Sequence, residues 1–187
     1  MTGSLSSTQA FDASNRRVVI IAARFNAPLV DQLIDGAAQA WRSHGGDPAR
    51  LLIERVPGAF ELPLAAKMFA ASGAVEAVVA LGCVIRGDTP HFDYVAGECA
   101  RGLMDAGLAT GVPVIFGVLT TEMQAQAVER ADVSRMNKGR ESMEAALEMI
   151  QLLAPPPRAP APARNSRAKA GPRAGPRARP RARKGKR

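Results

Sequence analysis

Short apolar runs alternate with longer amphipathic segments through most of the chain, and the two kinds of segment predict strands and helices. The apolar runs are rich in Val, Ile, Leu and Ala and predict four strands, at residues 16–23, 51–56, 74–85 and 114–119. The amphipathic segments predict five helices, at about residues 26–43, 61–72, 89–108, 121–131 and 137–153. Each of the first four helices follows a strand after a short connection.

Four βα units with short connections predict one parallel sheet with helices on both faces. Glycines mark several helix ends, at Gly45, Gly46, Gly73 and Gly111. One Trp, one Tyr and six Phe are the only aromatic residues, so the core must rest on aliphatic side chains, as in sheets covered by helices. The expected fold class is α/β, a single parallel four-stranded sheet in a flavodoxin-like three-layer sandwich.

Charge divides the chain into a body and a tail. Residues 155–187 hold nine Arg and three Lys and no acidic residue, which leaves thirteen basic and seventeen acidic residues in the first 154. The rest of the tail is almost entirely Pro, Ala and Gly with no large apolar side chain, so it is predicted to be disordered. We expect a flexible N-terminal arm at 1–15, a folded domain at 16–154 and a disordered basic tail at 155–187. Any partner inferred from the pI of 10.5 is therefore a partner of the tail alone.

The N-terminal sequence and the two cysteines indicate where the protein is located and whether it binds a metal. The N-terminus has no apolar stretch of signal-peptide length, and no run of about 18 apolar residues occurs, so a cytoplasmic protein without a membrane partner is expected. Cys83 and Cys99 lack metal-ligand spacing and are predicted to be reduced thiols. No metal site is expected.

In an open parallel sheet, ligands bind beyond the carboxyl ends of the strands. That rule selects four segments, and the unusual residues of the domain concentrate in them: 24–26, 58–61, 85–93 and 120–122. The third segment resembles an anion site, because Gly87 allows a tight backbone and Thr89 can cap a helix N-terminus. Asp88 would repel an anion, so its carboxylate should point away. An ordinary capped helix explains the same residues.

Several side chains in these segments suggest a heterocycle and a proton carrier. Phe25 and Phe60 each follow a strand and can grip a planar ring, although core packing explains them equally well. Glu61 can accept hydrogen bonds from a ligand. His91 is expected in a first helical turn, where the helix dipole disfavours the imidazolium form, so the ring can exchange protons. The residues by themselves indicate an anion-plus-heterocycle site and no specific reaction.

Five blocks in these regions resemble the lumazine synthase family. They are RFN at 24–26, VPGAFELP at 56–63, ALGCVIRGDTPHFDYV at 80–95, FGVLTTE at 116–122 and NKG at 137–139. The resemblance covers about residues 16–153. It implies condensation of 5-amino-6-(D-ribitylamino)uracil with 3,4-dihydroxy-2-butanone 4-phosphate in riboflavin biosynthesis, with release of phosphate and water and with no cofactor.

The resemblance also implies a role for individual residues. His91 would carry protons, and the phosphate of the second substrate would lie on Asp88, Thr89 and Arg130. The ribitylaminouracil would contact the remaining expected site residues, which are Phe25, Asn26, Ala59, Phe60, Glu61, Cys83, Val84, Ile85, Phe116 and Lys138. Surface charge remains the default explanation of Arg130 and Lys138.

Members of this family form pentamers, some of which close into sixty-subunit shells, with a neighbour supplying the equivalent of Phe116. A homo-oligomer with sites between subunits is therefore expected, with riboflavin synthase as a candidate partner. The 132–136 segment lacks glycines often found there, which leaves pentamer and shell open, and Met123 stands where many members have Asn.

Two other interpretations compete with a synthase. In one, the domain only multiplies a polycationic tail that binds nucleic acid or other polyanions in a sequence-independent, salt-sensitive way. In the other, the protein is a family member with a different substrate, an interpretation weakened by the presence of every expected site residue.

Overall fold

The structure, a computed structural model, describes residues 11–154. The predicted tail at 155–187 and the first ten residues of the predicted arm lie outside this range. The described chain forms four strands and five α-helices, which are β1 (Val18–Ala23), α1 (Ala27–Ser43), β2 (Leu51–Val56), α2 (Leu62–Ala71), β3 (Ala77–Ile85), α3 (His91–Thr110), β4 (Val114–Thr121), α4 (Gln124–Ala131) and α5 (Lys138–Leu153). Short 3-10 turns at Pro48–Arg50 and Ala59–Glu61 precede β2 and α2.

The four strands form one parallel sheet in the order β2-β1-β3-β4. The predicted α/β fold is therefore confirmed. β1 and β3 occupy the centre, which explains their almost uninterrupted apolar sequences, because a central parallel strand is covered on both faces. β2 and β4 lie at the edges, and both carry exposed apolar side chains, Leu52 and Ile53 on β2 and Phe116 on β4.

Two apolar cores lie on opposite faces of the sheet. Alternate residues of the central strands contribute to each, as the period of two in a strand requires. On one face, Val18 and Ile20 pack with α1, α4 and α5 around the fully buried Trp41. On the other, Val19 and Ile21 pack with α2 and α3. The protein is thus a three-layer sandwich.

Several boundaries differ from the prediction for identifiable reasons. Thr89 does not cap α3, because the helix begins one residue later than expected, with Pro90 at the cap position. β4 continues to Thr121 because that residue still pairs with Ile85, and this pairing delays α4 until Gln124.

Residues 11–15 belong to the predicted flexible arm, yet two of them pack on the domain. Phe11 and Ala13 are buried, and the Phe11 ring meets the His44 ring edge-on at 5.3 Å between centroids. The Ala13 N–H also donates to the His44 carbonyl at 3.0 Å. The packed part of the chain therefore starts no later than Phe11. Of residues 11–154, no helix is both long and apolar enough to cross a membrane.

Candidate active site

The carboxyl ends of β1, β2 and β3 bring three of the four predicted site segments together. The backbone N–H of Arg24 donates to the Val56 carbonyl at 2.8 Å, and that of Phe25 donates to Pro57 at 3.1 Å. These bonds continue the β1–β2 ladder beyond the strands and hold the Phe25 loop beside the turn that carries Phe60.

A cavity of about 650 Å³ opens at the carboxyl ends of these strands. Its lining comes from the ends of the three strands and from the first turn of α3: Phe25, Pro57, Gly58, Ala59, Phe60, Glu61, Cys83, Val84, Ile85, Gly87, Thr89, His91, Phe92, Tyr94 and Val95. Phe25 is 70% exposed and Phe60 is 58% exposed. Core packing therefore does not explain these two rings, and both remain accessible from the cavity.

Asn26 does not line the cavity but joins two of the segments that do. The residue adopts a left-handed backbone conformation (φ 59°), and its side-chain amide donates to the Cys83 carbonyl at 2.9 Å. Asparagine tolerates this conformation better than most residues. Asn26 thus fastens the loop of Phe25 to the end of β3.

The turn after β2 places a carboxylate in the cavity wall. Glu61 accepts a hydrogen bond from the Gly58 N–H at 2.9 Å, which closes the 3-10 turn. The Glu61 side chain remains exposed, and Ala59 beside it is buried. The turn therefore presents a fixed hydrogen-bond acceptor next to the Phe60 ring.

The end of β3 forms an apolar wall. Burial raises the pKa of the Cys83 thiol to about 11, so this side chain is a neutral thiol at physiological pH. Val84 and Ile85 follow it, both half-buried. At physiological pH Cys83 is therefore not available as a thiolate nucleophile.

The loop between β3 and α3 carries the groups expected to handle an anion and a proton. Thr89 and His91 both line the cavity, and His91 is the first residue of α3, as expected. Asp88 is exposed and stands outside the lining. Because the first N–H groups of a helix have no partner within the helix, this end of α3 suits an anion.

Arg86 is the residue that sequence reasoning missed. Its guanidinium contacts Asp93 and Glu122 and lies over the Phe92 ring. The available signal is a basic residue directly after β3, with Asp93 in its own predicted site segment and Glu122 in the segment at 120–122. Phe92 and Tyr94 were also unassigned, although both line the cavity.

Three expected site residues lie elsewhere. Phe116, Arg130 and Lys138 line a second cavity, of about 340 Å³, along the open edge of β4. The Lys138 ammonium pairs with Glu141 at 2.6 Å, and Arg130 donates to the Gln126 carbonyl at 3.0 Å. Within residues 11–154 the linings of the two cavities have no residue in common. One chain alone therefore does not bring Arg130 and Thr89 to the same cavity.

Metal ligation has no support in the described part of the chain. Between residues 11 and 154, no group of three or more His, Cys, Asp or Glu side chains is arranged to hold a metal ion. The groups available to a ligand at the first cavity are thus aromatic rings, a carboxylate, an imidazole, a hydroxyl and backbone amides.

Comparison with known proteins identifies the family. The family model for 6,7-dimethyl-8-ribityllumazine synthase matches residues 15–154. A synthase of that name from Thermus thermophilus is 52% identical over 141 residues, which cover 75% of this chain and 90% of the relative. The synthase from Halorhodospira halophila is 52% identical over 137 residues, or 73% of this chain and 88% of the relative. The chain therefore belongs to the 6,7-dimethyl-8-ribityllumazine synthase family and is an enzyme of the transferase class.

Proposed function

We propose that the protein condenses 5-amino-6-(D-ribitylamino)uracil with 3,4-dihydroxy-2-butanone 4-phosphate to 6,7-dimethyl-8-ribityllumazine in riboflavin biosynthesis. The observation that carries this proposal is the first cavity, in which exposed Phe25 and Phe60 stand beside Glu61, Thr89 and His91. A pyrimidine with a polyol chain and a phosphate ester would use each of these groups.

Each substrate has a place in this proposal. The pyrimidine stacks on Phe25, and the ribityl chain meets Ala59, Phe60 and the Glu61 carboxylate. Backbone groups of Cys83, Val84 and Ile85 edge the heterocycle, with Asn26 holding the loop beside it.

The phosphate of the second substrate lies at the start of α3, on Asp88, Thr89 and an Arg130 guanidinium. A charge-assisted bond to arginine is stronger than a neutral one. The Asp88 contribution must come from its backbone N–H, because its carboxylate would repel the anion.

The chemistry consists of proton transfers between reactive partners. The amine of the uracil adds to the ketone and forms an imine with loss of water. Elimination then breaks the carbon–oxygen bond to phosphate, and the second nitrogen attacks the remaining carbonyl and closes the ring with loss of a second water. His91 takes and returns the protons of these steps, while the rest of the cavity holds the reactants in contact. No step requires a metal or an organic cofactor.

We further propose that the complete site forms between two copies of the chain. Phe116, Arg130 and Lys138 would belong to the same ligand as Phe25 and His91 only if the second cavity of one copy faced the first cavity of its neighbour. The 43% exposure of Phe116 on an open sheet edge supports this arrangement. A pentamer, open or closed into a sixty-subunit shell, satisfies it, and a light-scattering mass of five or sixty chains distinguishes the two.

The test of the reaction uses both substrates and two forms of the protein. Purified full-length chain and a chain ending at residue 154 are mixed with the two substrates, and the lumazine absorbance is followed against a protein-free blank. We expect both forms to exceed the blank. Absence of turnover in both would refute the synthase proposal and leave a binding protein with a synthase-like fold.

The tail supports a second activity alongside the first. Twelve basic residues and no acidic one occur at 155–187, whereas the preceding 154 residues have a net charge of −4. We propose that the tail binds nucleic acid or other polyanions through non-specific, salt-dependent contacts that oligomerisation multiplies. Retention on immobilised DNA should disappear when residues 155–187 are removed. Equal retention of the truncated chain at the same salt concentration would refute this activity.

Other partners follow from the reaction. In this proposal the protein is cytoplasmic, where both substrates are soluble metabolites, and riboflavin synthase is its partner because it would consume the lumazine. Co-purification of the two proteins from a cell extract, with the truncated chain as a control for tail-mediated capture, tests that contact.

A further inference from the structure

Arg86 stands at the junction of three elements beside the first cavity. It directly follows β3, and its backbone N–H donates to the Thr121 carbonyl at the end of β4 at 2.9 Å. Its Nη1 and Nη2 atoms donate to the two oxygens of Asp93 at 3.2 and 2.9 Å, and Nε donates to Glu122 at 2.7 Å. The guanidinium thus joins the first turn of α3 to the segment between β4 and α4.

The guanidinium also lies over an aromatic wall of the cavity. Its central carbon is 4.2 Å from the centre of the Phe92 ring, a distance at which the cation and the ring attract each other. Phe92 lines the cavity, whereas Arg86 does not. Arg86 therefore contacts the cavity wall through Phe92 without lining the cavity itself.

The segment enclosed by these contacts carries the expected reactive groups. Residues 87–92 run from Arg86 to Asp93 and include Thr89 and His91. Among residues 11–154, no side-chain hydrogen bond is made by residues 87–91, and a Cβ added at Gly87 would meet no atom within 4 Å. The ion pair with Asp93 and the contact with Phe92 are therefore the main side-chain restraints on this loop.

We propose that Arg86 is a positioning residue, which fixes the 87–92 loop through Asp93, Glu122 and Phe92 and so sets where Thr89 and His91 stand relative to the cavity floor. The inference rests on the proposed reaction for its effect on rate. The restraint on the loop itself stands on the contacts alone.

Arg86 is suited to this role by its geometry and its surroundings. A planar guanidinium can bond one carboxylate with two nitrogens, bond a second with the third and still stack on a ring, whereas the point charge of lysine cannot do all three. The partners are exposed, with Asp93 and Glu122 side chains at 60% and 61%, so the network adds little to global stability. Reaction rates depend much more steeply on small displacements of a reacting group than global stability does.

The chain offers a matched control in Arg16. Its side chain is 33% exposed, against 36% for Arg86, and it pairs with Glu76 at 3.0 Å. Both residues of that pair precede strands, so they lie at the amino ends of the strands, whereas the cavity lies at the carboxyl ends. Arg16→Met therefore removes a comparable ion pair without touching the site.

The experiment measures loop protection and rate in full-length protein. Hydrogen exchange of the amides of residues 86 and 93, which donate to the Thr121 and Pro90 carbonyls at 2.9 and 3.0 Å, should become at least about tenfold faster in Arg86→Met and stay unchanged in Arg16→Met. Both melting temperatures should stay close to that of the unsubstituted protein. Unchanged exchange in Arg86→Met would overturn the proposal, whatever the enzyme does. This measurement needs no turnover, so it separates the restraint on the loop from the proposed reaction.

Kinetics then test positioning against a general structural effect. Arg86→Met should lower kcat about tenfold, and Arg86→Lys should recover only part of that loss. In a His91→Ala background the same substitution should lower kcat less than about twofold, because the group being positioned is gone. An undiminished tenfold loss in that background would show that Arg86 does not act through His91 and would overturn that part of the inference. Absence of turnover in the unsubstituted protein would instead refute the proposed reaction.

Discussion

The two helical layers of the sandwich differ in how completely one chain covers them. In the layer of α1, α4 and α5, helices α1 and α5 approach so closely that a Cβ at Gly139 would lie 2.0 Å from the Leu33 carbonyl oxygen. In the layer of α2 and α3, the outer faces expose large apolar side chains, which are Leu64, Met68, Met104 and Leu108 at 63–77%. The first layer, which we call closed, exposes large apolar side chains only at Val128 and in the last turn of α5, at Leu152 and Leu153, among the helices of residues 11–154. The second, open layer exposes them along the outer faces of both of its helices, as apolar surface that a partner would cover.

This difference separates the layer that buries most of the core from the layer that exposes most apolar surface. The closed layer contains the larger core, with Trp41, Leu33, Met143 and Leu147 fully or almost fully buried. The open layer contributes the first turn of α3, and with it His91, to the first cavity. The following predictions test that division, beginning with the largest expected effect.

Gly139→Ala should destabilise the protein most. The new methyl group would collide with backbone of α1, which cannot rotate away, so the two helices must separate. We expect a loss of about 3 kcal/mol or more from the free energy of unfolding, measured by urea denaturation. The control is Gly107→Ala, where the nearest atom to an added Cβ is 3.5 Å away and helix propensity favours alanine. Equal stability of the two variants would contradict the close packing of α1 on α5.

A pair of charges on the open layer should prevent assembly without unfolding the chain. Met104→Glu and Leu108→Glu together place two carboxylates on the outer face of α3, where a partner would leave them buried and unpaired at about 3 kcal/mol or more each. We expect the light-scattering mass to fall to that of one chain and turnover to disappear, with unchanged far-UV circular dichroism. The control is Gln39→Glu on the exposed face of α1. An unchanged mass would show that this face is not the interface.

Alkaline pH should destabilise both layers through one buried thiol in each. Burial raises the pKa of Cys83, on the closed side, to about 11 and that of Cys99, on the open side, to about 12. The unfolded thiols ionise near pH 9, so above that pH the unfolded state binds fewer protons and stability falls.

Each thiol should contribute about 2–3 kcal/mol of that loss by pH 11, and little below pH 8. Cys99→Ala should flatten the dependence of the unfolding free energy on pH between 9 and 11, compared with the unsubstituted protein. An identical slope in the variant would contradict protonation of the buried thiol.

His91→Ala should have the smallest effect on the fold and a moderate effect on rate. The side chain is exposed, so the melting temperature should not change. We expect kcat to fall by about 10²-fold or less, because positioning supplies most of the acceleration and one proton carrier supplies the rest. A rate equal to the protein-free blank would show that proton transfer dominates the reaction.

Most strands and helices, and the segments that form the first cavity, could be predicted from sequence because the patterns that indicate them lie within short stretches of chain. The continuous apolar runs of β1 and β3 identify central parallel strands, and the carboxyl-end rule then selects the segments that form the first cavity. The start of α4 was harder to predict, because pairing of Thr121 with Ile85 extends β4 into residues whose own pattern suits a helix. Packing of Phe11 on His44 likewise depends on a contact between residues far apart in the chain.

The sequence by itself determined the strands, the helix faces and the set of residues that can carry chemistry, since side-chain periodicity and residue type are properties of short segments. Only the tertiary structure decided which of those residues share a cavity. Phe25, Phe60 and His91 line one cavity because the carboxyl ends of parallel strands lie side by side. Phe116, Arg130 and Lys138 line the other cavity, beside the unpaired side of β4. It also revealed the Arg86 network, because an ion pair across a loop depends on where the loop turns.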